Sequence, residues 1–116
     1  MATIDDFKKL DIRIGKVAVA ASVEGSEKLL QLKVNFGSEV DAQGVPVTVE
    51  RQILAGVGKK YKPEELIGKQ FVFVFNLEPR MLMGLESQGM ILAASTENGP
   101  VLLSPIEDIE PGSKIN

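Results

Sequence analysis

Apolar and polar residues alternate along the first half of the chain, as is typical of strands with one buried face. The alternation is clearest from Leu30 to Phe36, recurs over residues 11–22 with a break at Gly15, and returns from Val47 to Ile53. A spacing of two places every second side chain on the same face of a strand. The pattern therefore predicts three strands, the first bent or bulged near Gly15.

The second half of the chain departs from this alternation. Residues 71–75 are apolar at every position, which predicts a strand covered on both faces. Residues 90–94 and 101–103 are also apolar runs, and they predict a fifth strand and a short final one. Residues 38–46 are polar and contain a glycine, so they are predicted to form a hairpin loop before the third strand.

Two short segments carry helix signals. Ile4, Phe7 and Leu10 recur every three residues, with acidic residues in the first turn, so this segment is predicted to be an amphipathic turn or helix whose Phe7 enters the core. Pro63 is followed by two glutamates and then by Gly68, which predicts a second short helix between the third and fourth strands.

The order of these elements predicts the fold class. A five-stranded barrel with a helix between its third and fourth strands has the order of an OB-fold, whose sheet and loops typically hold oligonucleotides. A chain of 116 residues can bury one core without disulfides or metal. The prediction is an all-β (mainly) protein: one five-stranded OB-fold barrel over residues 1–116, with a short helix between strands 3 and 4 and short terminal extensions.

The residue types that are missing exclude several kinds of chemistry. The chain has no cysteine and no histidine, so thiolate metal sites and cysteine nucleophiles are excluded and Ser87 lacks the usual general base. The carboxylates of Glu107, Asp108 and Glu110 resemble a solvated tail more than a metal cluster. Neither catalysis nor a cofactor is predicted. The N-terminus does not resemble a secretory signal and no apolar run is long enough for a membrane span, so a cytoplasmic location is predicted.

Charge is distributed unevenly along the chain. The net charge is −3, which argues against indiscriminate nucleic-acid binding. Residues 1–85 nevertheless contain twelve of the thirteen lysines and arginines against eleven of the sixteen acidic residues, whereas residues 86–116 contain one base and five acids. This distribution permits a modest basic face. The segment from Asn76 to Gly89 joins two predicted strands and contains Arg80, Ser87 and Gln88, which makes it the candidate binding loop.

Four motifs resemble, in order and spacing, the tRNA-binding domain that is appended to bacterial and archaeal methionyl-tRNA synthetases and also occurs as a free-standing structure-specific tRNA-binding protein. They are DFKKLDIRIGKV, VEGSEKLLQLKV, ILAGVGKKYKPEELIGK and NLEPRMLMGLESQGMILAA. Chaperone-like proteins linked to protein export share the first half of the pattern but lack SQGM. Ser87 to Met90 therefore favours the tRNA-binding branch, and a Met start just before the family's opening residues fits a complete short protein.

The resemblance implies an OB-fold homodimer that holds the outer corner of L-shaped tRNA by its shape and backbone, alone or beside an aminoacyl-tRNA synthetase. The contact residues it implies are Lys33, Arg51, Asn76, Arg80, Ser87, Gln88 and Met90. The third strand could turn Arg51 outward beside Lys33, but its alternation does not fix the register, because Thr48 and Ile53 fit either face poorly. Two features depart from the family: Met81 stands where a lysine usually follows the NLxPR arginine, and residues 38–50 form a longer segment than usual.

The same site can be argued from the residues themselves. Arg80 offers a planar fork for a phosphate, and Lys33, Arg51, Lys59 and Lys60 offer point charges along a backbone path. Ser87 and Gln88 could bond sugar hydroxyls and unpaired base edges. Each assignment has a simpler alternative, namely a surface arginine, solubilising lysines and methionines that only pack. A chaperone-like dimer that binds peptides through an apolar groove is the alternative function.

Overall fold

Strand β1 is shared between two halves of one curled antiparallel sheet. The computed structural model describes residues 1–116. The elements are α1 Ile4–Lys8, β1 Ile12–Ser22, β2 Leu30–Val40, β3 Pro46–Ala55, α2 Pro63–Leu66, β4 Gln70–Val74, β5 Arg80–Leu82, β6 Leu85–Ser87, β7 Met90–Ile91, β8 Ala93–Thr96 and β9 Gly99–Leu102. Five of the strands form a sheet in the order β3-β2-β1-β4-β7, a half-barrel consistent with the OB fold, so the predicted fold class is confirmed.

Strand β1 curls the sheet because its two ends have different partners. Residues 12–16 pair with β4 and residues 16–22 pair with β2. The register shifts between Val17 and Val19, just beyond Gly15, so the predicted bend or bulge near that glycine is confirmed. Gly15 itself is required for packing, since a Cβ there would lie 2.5 Å from Val34 Cγ1.

The core fills the concave side of this sheet. Its fully buried residues include Val17, Leu32, Val34, Ile53 and Phe73. Strand β4 is buried on both faces, as its unbroken apolar run predicts. Phe71, Phe73 and Phe75 point into the core, and Val74 is buried on the other side.

The two predicted helices form but have different roles. Helix α2 lies between β3 and β4 and buries Leu66 in the core, as predicted. Helix α1 is closed by a capping box between Thr3 and Asp6, yet it buries no residue. Phe7 remains 37% exposed, so the prediction that it enters the core is wrong. The strands and α2 already enclose the interior, and α1 lies outside it. No helix is both long and apolar enough to cross a membrane.

The segments predicted as loops contain more strand than expected. Strand β2 runs on to Val40 and β3 begins at Pro46, so the hairpin loop is shorter than the predicted 38–46. In this turn the Asp41 carboxylate accepts hydrogen bonds from the N–H groups of Gln43 and Val45. The candidate loop after β4 contains the β5–β6 hairpin. The predicted fifth strand over 90–94 is divided into β7 and β8, and β8 pairs with β9.

Candidate nucleic-acid interface

The last residue of β6 and the two residues after it close the barrel by bonding to the outer edge of β3. Leu54 N–H donates to Ser87 Oγ at 3.0 Å, and the Ser87 hydroxyl donates to the Gly89 carbonyl at 3.1 Å. Gln52 N–H donates to Gln88 Oε1 at 3.0 Å, while Gln88 N–H donates to the Gln52 carbonyl at 2.8 Å. We call this set of bonds the seam. Side chains thus replace part of a backbone ladder where β3 would otherwise leave a free edge.

The seam determines what Ser87, Gln88 and Gly89 do. Ser87 is only 5% exposed, and its hydroxyl both accepts and donates within the protein. Gly89 has a positive φ of 143°, and a Cβ there would lie 2.9 Å from the Val74 carbonyl oxygen. Only glycine fits this approach. Ser87 and Gln88, which the resemblance predicts as RNA contacts, therefore have a structural role together with Gly89 that the sequence did not reveal.

Gln52 connects the seam to the outer face of the sheet. Its side chain donates from Nε2 to the Glu86 carbonyl at 2.8 Å and accepts at Oε1 from Gln31 Nε2 at 2.7 Å and from Lys33 Nζ at 3.0 Å. Lys33 and Gln52 are direct cross-strand partners and so share a face. We refer to Gln31, Lys33, Gln52 and the β5–β6 hairpin as the polar face.

Arg80 begins β5 and stands at the rim of a groove beside the seam. The groove has a volume of about 390 Å³. Its lining residues are Leu54, Leu77, Glu78, Arg80, Leu82, Ser87, Gly89 and Met90. Arg80 is exposed and takes part in none of the four ion pairs, which leaves its guanidinium free for an external anion. Met90 is 45% exposed, so the groove combines a free cation with an accessible apolar wall.

Arg51 lies on the opposite side of the sheet from Lys33, so the side-by-side arrangement that the sequence left open does not occur. Arg51 pairs in register with the buried Val34, which places it on the concave side. There its guanidinium lies over the Phe75 ring, with Cζ 4.0 Å from the ring centroid. Arg13 lies over the same ring at 3.9 Å. The two cations cover the open end of the core.

Arg13 and Arg51 differ in their pairing. The Arg13 guanidinium donates from Nε and Nη2 to the two carboxylate oxygens of Asp11, at 2.9 and 2.8 Å. These hydrogen bonds lower the pKa of Asp11 below its ordinary value, against a smaller opposing effect of burial. Arg51 belongs to no ion pair, and its one hydrogen bond is a long one of 3.5 Å, from Nη1 to the Phe75 carbonyl oxygen.

The remaining predicted residues occupy two other places. Asn76 fastens α1 to the end of β4, since its Oδ1 accepts from Asp11 N–H at 2.7 Å and its Nδ2 donates to the Lys9 carbonyl at 2.8 Å. Lys59 lies 3.9 Å from Glu27, and both side chains are largely exposed. Lys60 Nζ lies 5.9 Å from the Tyr61 ring centroid.

Lys59 and Lys60, in the turn after β3, do not contact the polar face directly. Lys59 reaches it through the turn between β1 and β2. Glu27 belongs to the turn between β1 and β2, as does Gly25, where a Cβ would lie 3.3 Å from Met83 Cε at the tip of the β5–β6 hairpin. The structure thus brings Lys33, Arg80, Ser87, Gln88 and Met90 together around the seam and groove. It places Arg51 and Asn76 at the α1 end of the barrel.

Comparison with known proteins identifies the family. The family model described as "Putative tRNA binding domain" matches residues 12–114. The chain belongs to the tRNA-binding domain family. Among curated relatives, it is 49% identical over 114 residues to the methionine–tRNA ligase of Caldanaerobacter subterraneus subsp. tengcongensis and 47% identical over 114 residues to that of Thermotoga maritima. Each alignment covers 98% of this chain but only 16% of the relative.

Solved structures similar to this tRNA-binding domain carry two kinds of name. The MetRS related protein of Pyrococcus horikoshii is 34% identical with a TM-score of 0.84, and the alignment covers 99% of this chain and 97% of that one. The chaperone CsaA of Bacillus anthracis is 33% identical with a TM-score of 0.81, covering 100% and 99%. The fold therefore occurs in proteins named for both functions that the sequence leaves open.

The residues that organise the polar face of this tRNA-binding domain carry no signal in the sequence that marks them as functional. Gln31 and Gln52 are half-buried polar residues on strands, and their alternation with apolar neighbours predicts only an outward direction. Their importance depends on the register of β2 with β3 and on the return of β6 against β3. Neither property has a local signal. No group of three or more acidic residues is placed to hold a metal ion.

Proposed function

We propose that this chain is a non-catalytic module that binds the outer corner of tRNA, recognising mainly its shape and backbone. The observation that carries the proposal is the arrangement around the seam in a chain matched by the family over residues 12–114. An unpaired arginine, an apolar groove and a hydrogen-bonded strip containing Lys33 adjoin one another there. Shape recognition of RNA uses such a mixture of phosphate, sugar and base-edge contacts.

The groups around the groove have complementary roles in this proposal. Arg80 pairs with a phosphate through two parallel N–H donors. Lys33 holds one hydrogen bond to Gln52 and has two further ammonium protons for the RNA backbone. Met90 and Leu77 offer apolar surface to a ribose or an unpaired base. Few aromatic side chains are exposed here, so stacking of successive bases has a minor role.

The other predicted contact residues enter the proposal with different weights. Arg51, Lys59 and Lys60 remain candidate phosphate contacts, because their cationic groups are partly or fully exposed. Ser87, Gln88 and Asn76 act chiefly by holding the seam and α1, since their polar atoms already have protein partners. Direct contact of these three with tRNA stays a prediction. A cytoplasmic location and one domain over residues 1–116 also stay predictions.

Titration of a labelled tRNA at several salt concentrations tests the proposal. We expect log affinity to fall linearly with log salt, because bound phosphates release counterions. Arg80→Ala should weaken binding by about tenfold and reduce the salt slope by about one, with unchanged unfolding. Lys69→Ala is the matched control, since Lys69 is an exposed cation of α2's C-terminal turn away from the seam. The proposal is contradicted if the wild type binds tRNA no more tightly than unrelated acidic proteins do, or if its affinity does not depend on salt concentration.

The proposal includes a homodimer and a synthetase partner. Helix α1 and the turn after it expose Ile4, Phe7 and Leu10, and a groove of about 260 Å³ separates the helix from Ile115 of the C-terminal segment. This unburied apolar surface supports association of two copies through α1. Light scattering over a concentration series tests it, and Phe7→Asp should give monomers. A monomer at all concentrations contradicts the dimer.

Binding to a methionyl-tRNA synthetase in trans is supported by the relatives that carry this domain.

Peptide binding is the second candidate function. The β5–β6 hairpin exposes Met81 and Met83 at 65% and 56%, and the chaperone CsaA of Bacillus anthracis has a similar fold. Flexible methionine surfaces suit varied apolar ligands. Competition between labelled tRNA and an unfolded, uncharged peptide separates the candidates. Peptide binding that resists salt together with absent tRNA binding would favour the chaperone.

A further inference from the structure

The side-chain amides of Gln31 and Gln52 form a hydrogen-bonded chain on the polar face, which we call the relay. The groups at the two ends of the Gln52 amide determine which way it is oriented. At one end, Gln52 meets the backbone carbonyl of Glu86, which can only accept a hydrogen bond. At the other, it meets the ammonium of Lys33, which can only donate. Gln52 must therefore direct Nε2 toward Glu86 and Oε1 toward Lys33. The opposite orientation of this amide would place like groups against each other at both ends.

The relay then orients Gln31. Gln52 Oε1 also meets the Gln31 amide at 2.7 Å, and since this oxygen can only accept, Gln31 must donate with Nε2. Gln31 Oε1 is left as an acceptor that receives no hydrogen bond from the protein. No side-chain polar atom of the protein is both buried and without a partner, so this half-buried residue keeps its oxygen in contact with solvent. This acceptor belongs to an amide whose Nε2 shares Gln52 Oε1 with the Lys33 ammonium.

This acceptor lies within the proposed RNA-binding surface. Gln31 follows the turn that approaches Met83, and its partner Gln52 bonds to β6. Lys33, two residues along the same strand, shares the hydrogen-bond acceptor of Gln31. A ligand bound at Lys33 would therefore lie close to the Gln31 amide. An arrangement of one cation and one fixed acceptor favours a ligand that presents an anion or acceptor next to a hydrogen-bond donor.

We propose that Gln31 is a specificity-determining residue that accepts a hydrogen bond from RNA while Lys33 binds the neighbouring phosphate. The donor is a 2′-hydroxyl or the exocyclic amino group of an unpaired base, both of which RNA presents beside its phosphates. This inference rests on the proposed tRNA binding and extends it from charge to hydrogen-bond polarity. Gln31 makes RNA distinguishable from a polyanion that lacks such a donor.

The test compares Gln31→Met with the wild type on two probes, an in vitro transcribed tRNA and its all-2′-deoxy counterpart. Methionine keeps the length of the side chain but removes the acceptor. We expect tRNA affinity to fall about three- to tenfold, as for loss of one hydrogen bond. Gln43→Met is the matched control, because Gln43 lies in the exposed turn after β2 and its side chain forms no hydrogen bond. Unfolding of both variants is measured in parallel.

The outcomes distinguish the two possible hydrogen-bond donors of the RNA, and they distinguish failure of this inference from failure of the proposed function. A loss on tRNA that is absent on the deoxy probe identifies the 2′-hydroxyl, and an equal loss on both probes with an unchanged salt slope identifies an amino group. Unchanged tRNA affinity overturns the inference. A loss accompanied by a smaller salt slope also overturns it, because Gln31 would then act only by holding Lys33. If the wild type itself does not bind tRNA, the proposed function fails instead.

Discussion

The seam predicts that Ser87 contributes to stability even though its sequence context indicates a binding loop. Ser87→Ala removes the acceptor of the buried Leu54 N–H and the donor to the Gly89 carbonyl. Both bonds join groups that water does not easily reach, because Ser87 and Leu54 are buried. The substitution leaves a methyl group of similar size, so loss of hydrogen bonding is the main effect.

The magnitude follows from the groups left without partners. An unpaired buried N–H costs about 1–3 kcal/mol, and the lost donation to Gly89 adds about 1 kcal/mol. The expected decrease in the free energy of unfolding is therefore roughly 2–4 kcal/mol. For a domain of this size, each 1 kcal/mol lowers Tm by about 4 °C. Such a loss is large against a typical total of about 5–15 kcal/mol.

Urea unfolding followed by circular dichroism measures this decrease, with the wild type and Ser95→Ala as references. Ser95 is exposed on β8 and its side chain makes no hydrogen bond, so Ser95→Ala should change stability by less than about 0.5 kcal/mol. A Ser87→Ala protein as stable as the wild type refutes the seam. If that variant also lost tRNA affinity while remaining folded, Ser87 would be a direct contact.

Two further substitutions test the interior and the open end of the barrel. Gly15→Ala should lower the free energy of unfolding by about 1–3 kcal/mol, because the new Cβ would collide with Val34. Gly56→Ala is the control and should change it little, because a Cβ at that position would meet no atom within 4 Å. Asp11→Asn should cost about 1–2 kcal/mol at pH 7. Because the folded pKa of Asp11 is lowered, that difference should be full above about pH 4 and should shrink as pH falls below it. A pH-independent difference contradicts the Asp11–Arg13 pairing.

The strands were predictable because burial on one face imposes a spacing of two directly on the sequence. Residues 30–36 alternate between buried and half-buried positions, as the apolar pattern predicts. The same reasoning failed for Phe7, since a helix that covers a core and a helix that leaves an apolar face open have the same spacing. Periodicity identifies an apolar face but not the surface that covers it.

The candidate site was predictable only in part, for a related reason. Arg80 and Lys33 were identified as exposed cations, and the structure places both near the seam. The seam itself joins Leu54 to Ser87 and Gln52 to Gln88, at sequence separations of 33 and 36 residues. In the sequence alone, a polar residue that bonds to a distant part of the chain looks the same as a polar residue that binds a ligand. Their roles could be distinguished only once the path of β6 against β3 was known.

The seam, which side chains close in place of part of a backbone ladder, adjoins the proposed binding surface and is expected to open more readily than the middle of the sheet. Hydrogen exchange at the Gln52 and Leu54 amides should be faster than at Val34 in the middle of the sheet, since opening the seam breaks few backbone bonds. Bound tRNA that spans Arg80 and Lys33 should slow exchange at the seam amides selectively, because opening would separate its two contacts. Unchanged exchange at these amides in saturated complex would place the tRNA elsewhere on the barrel.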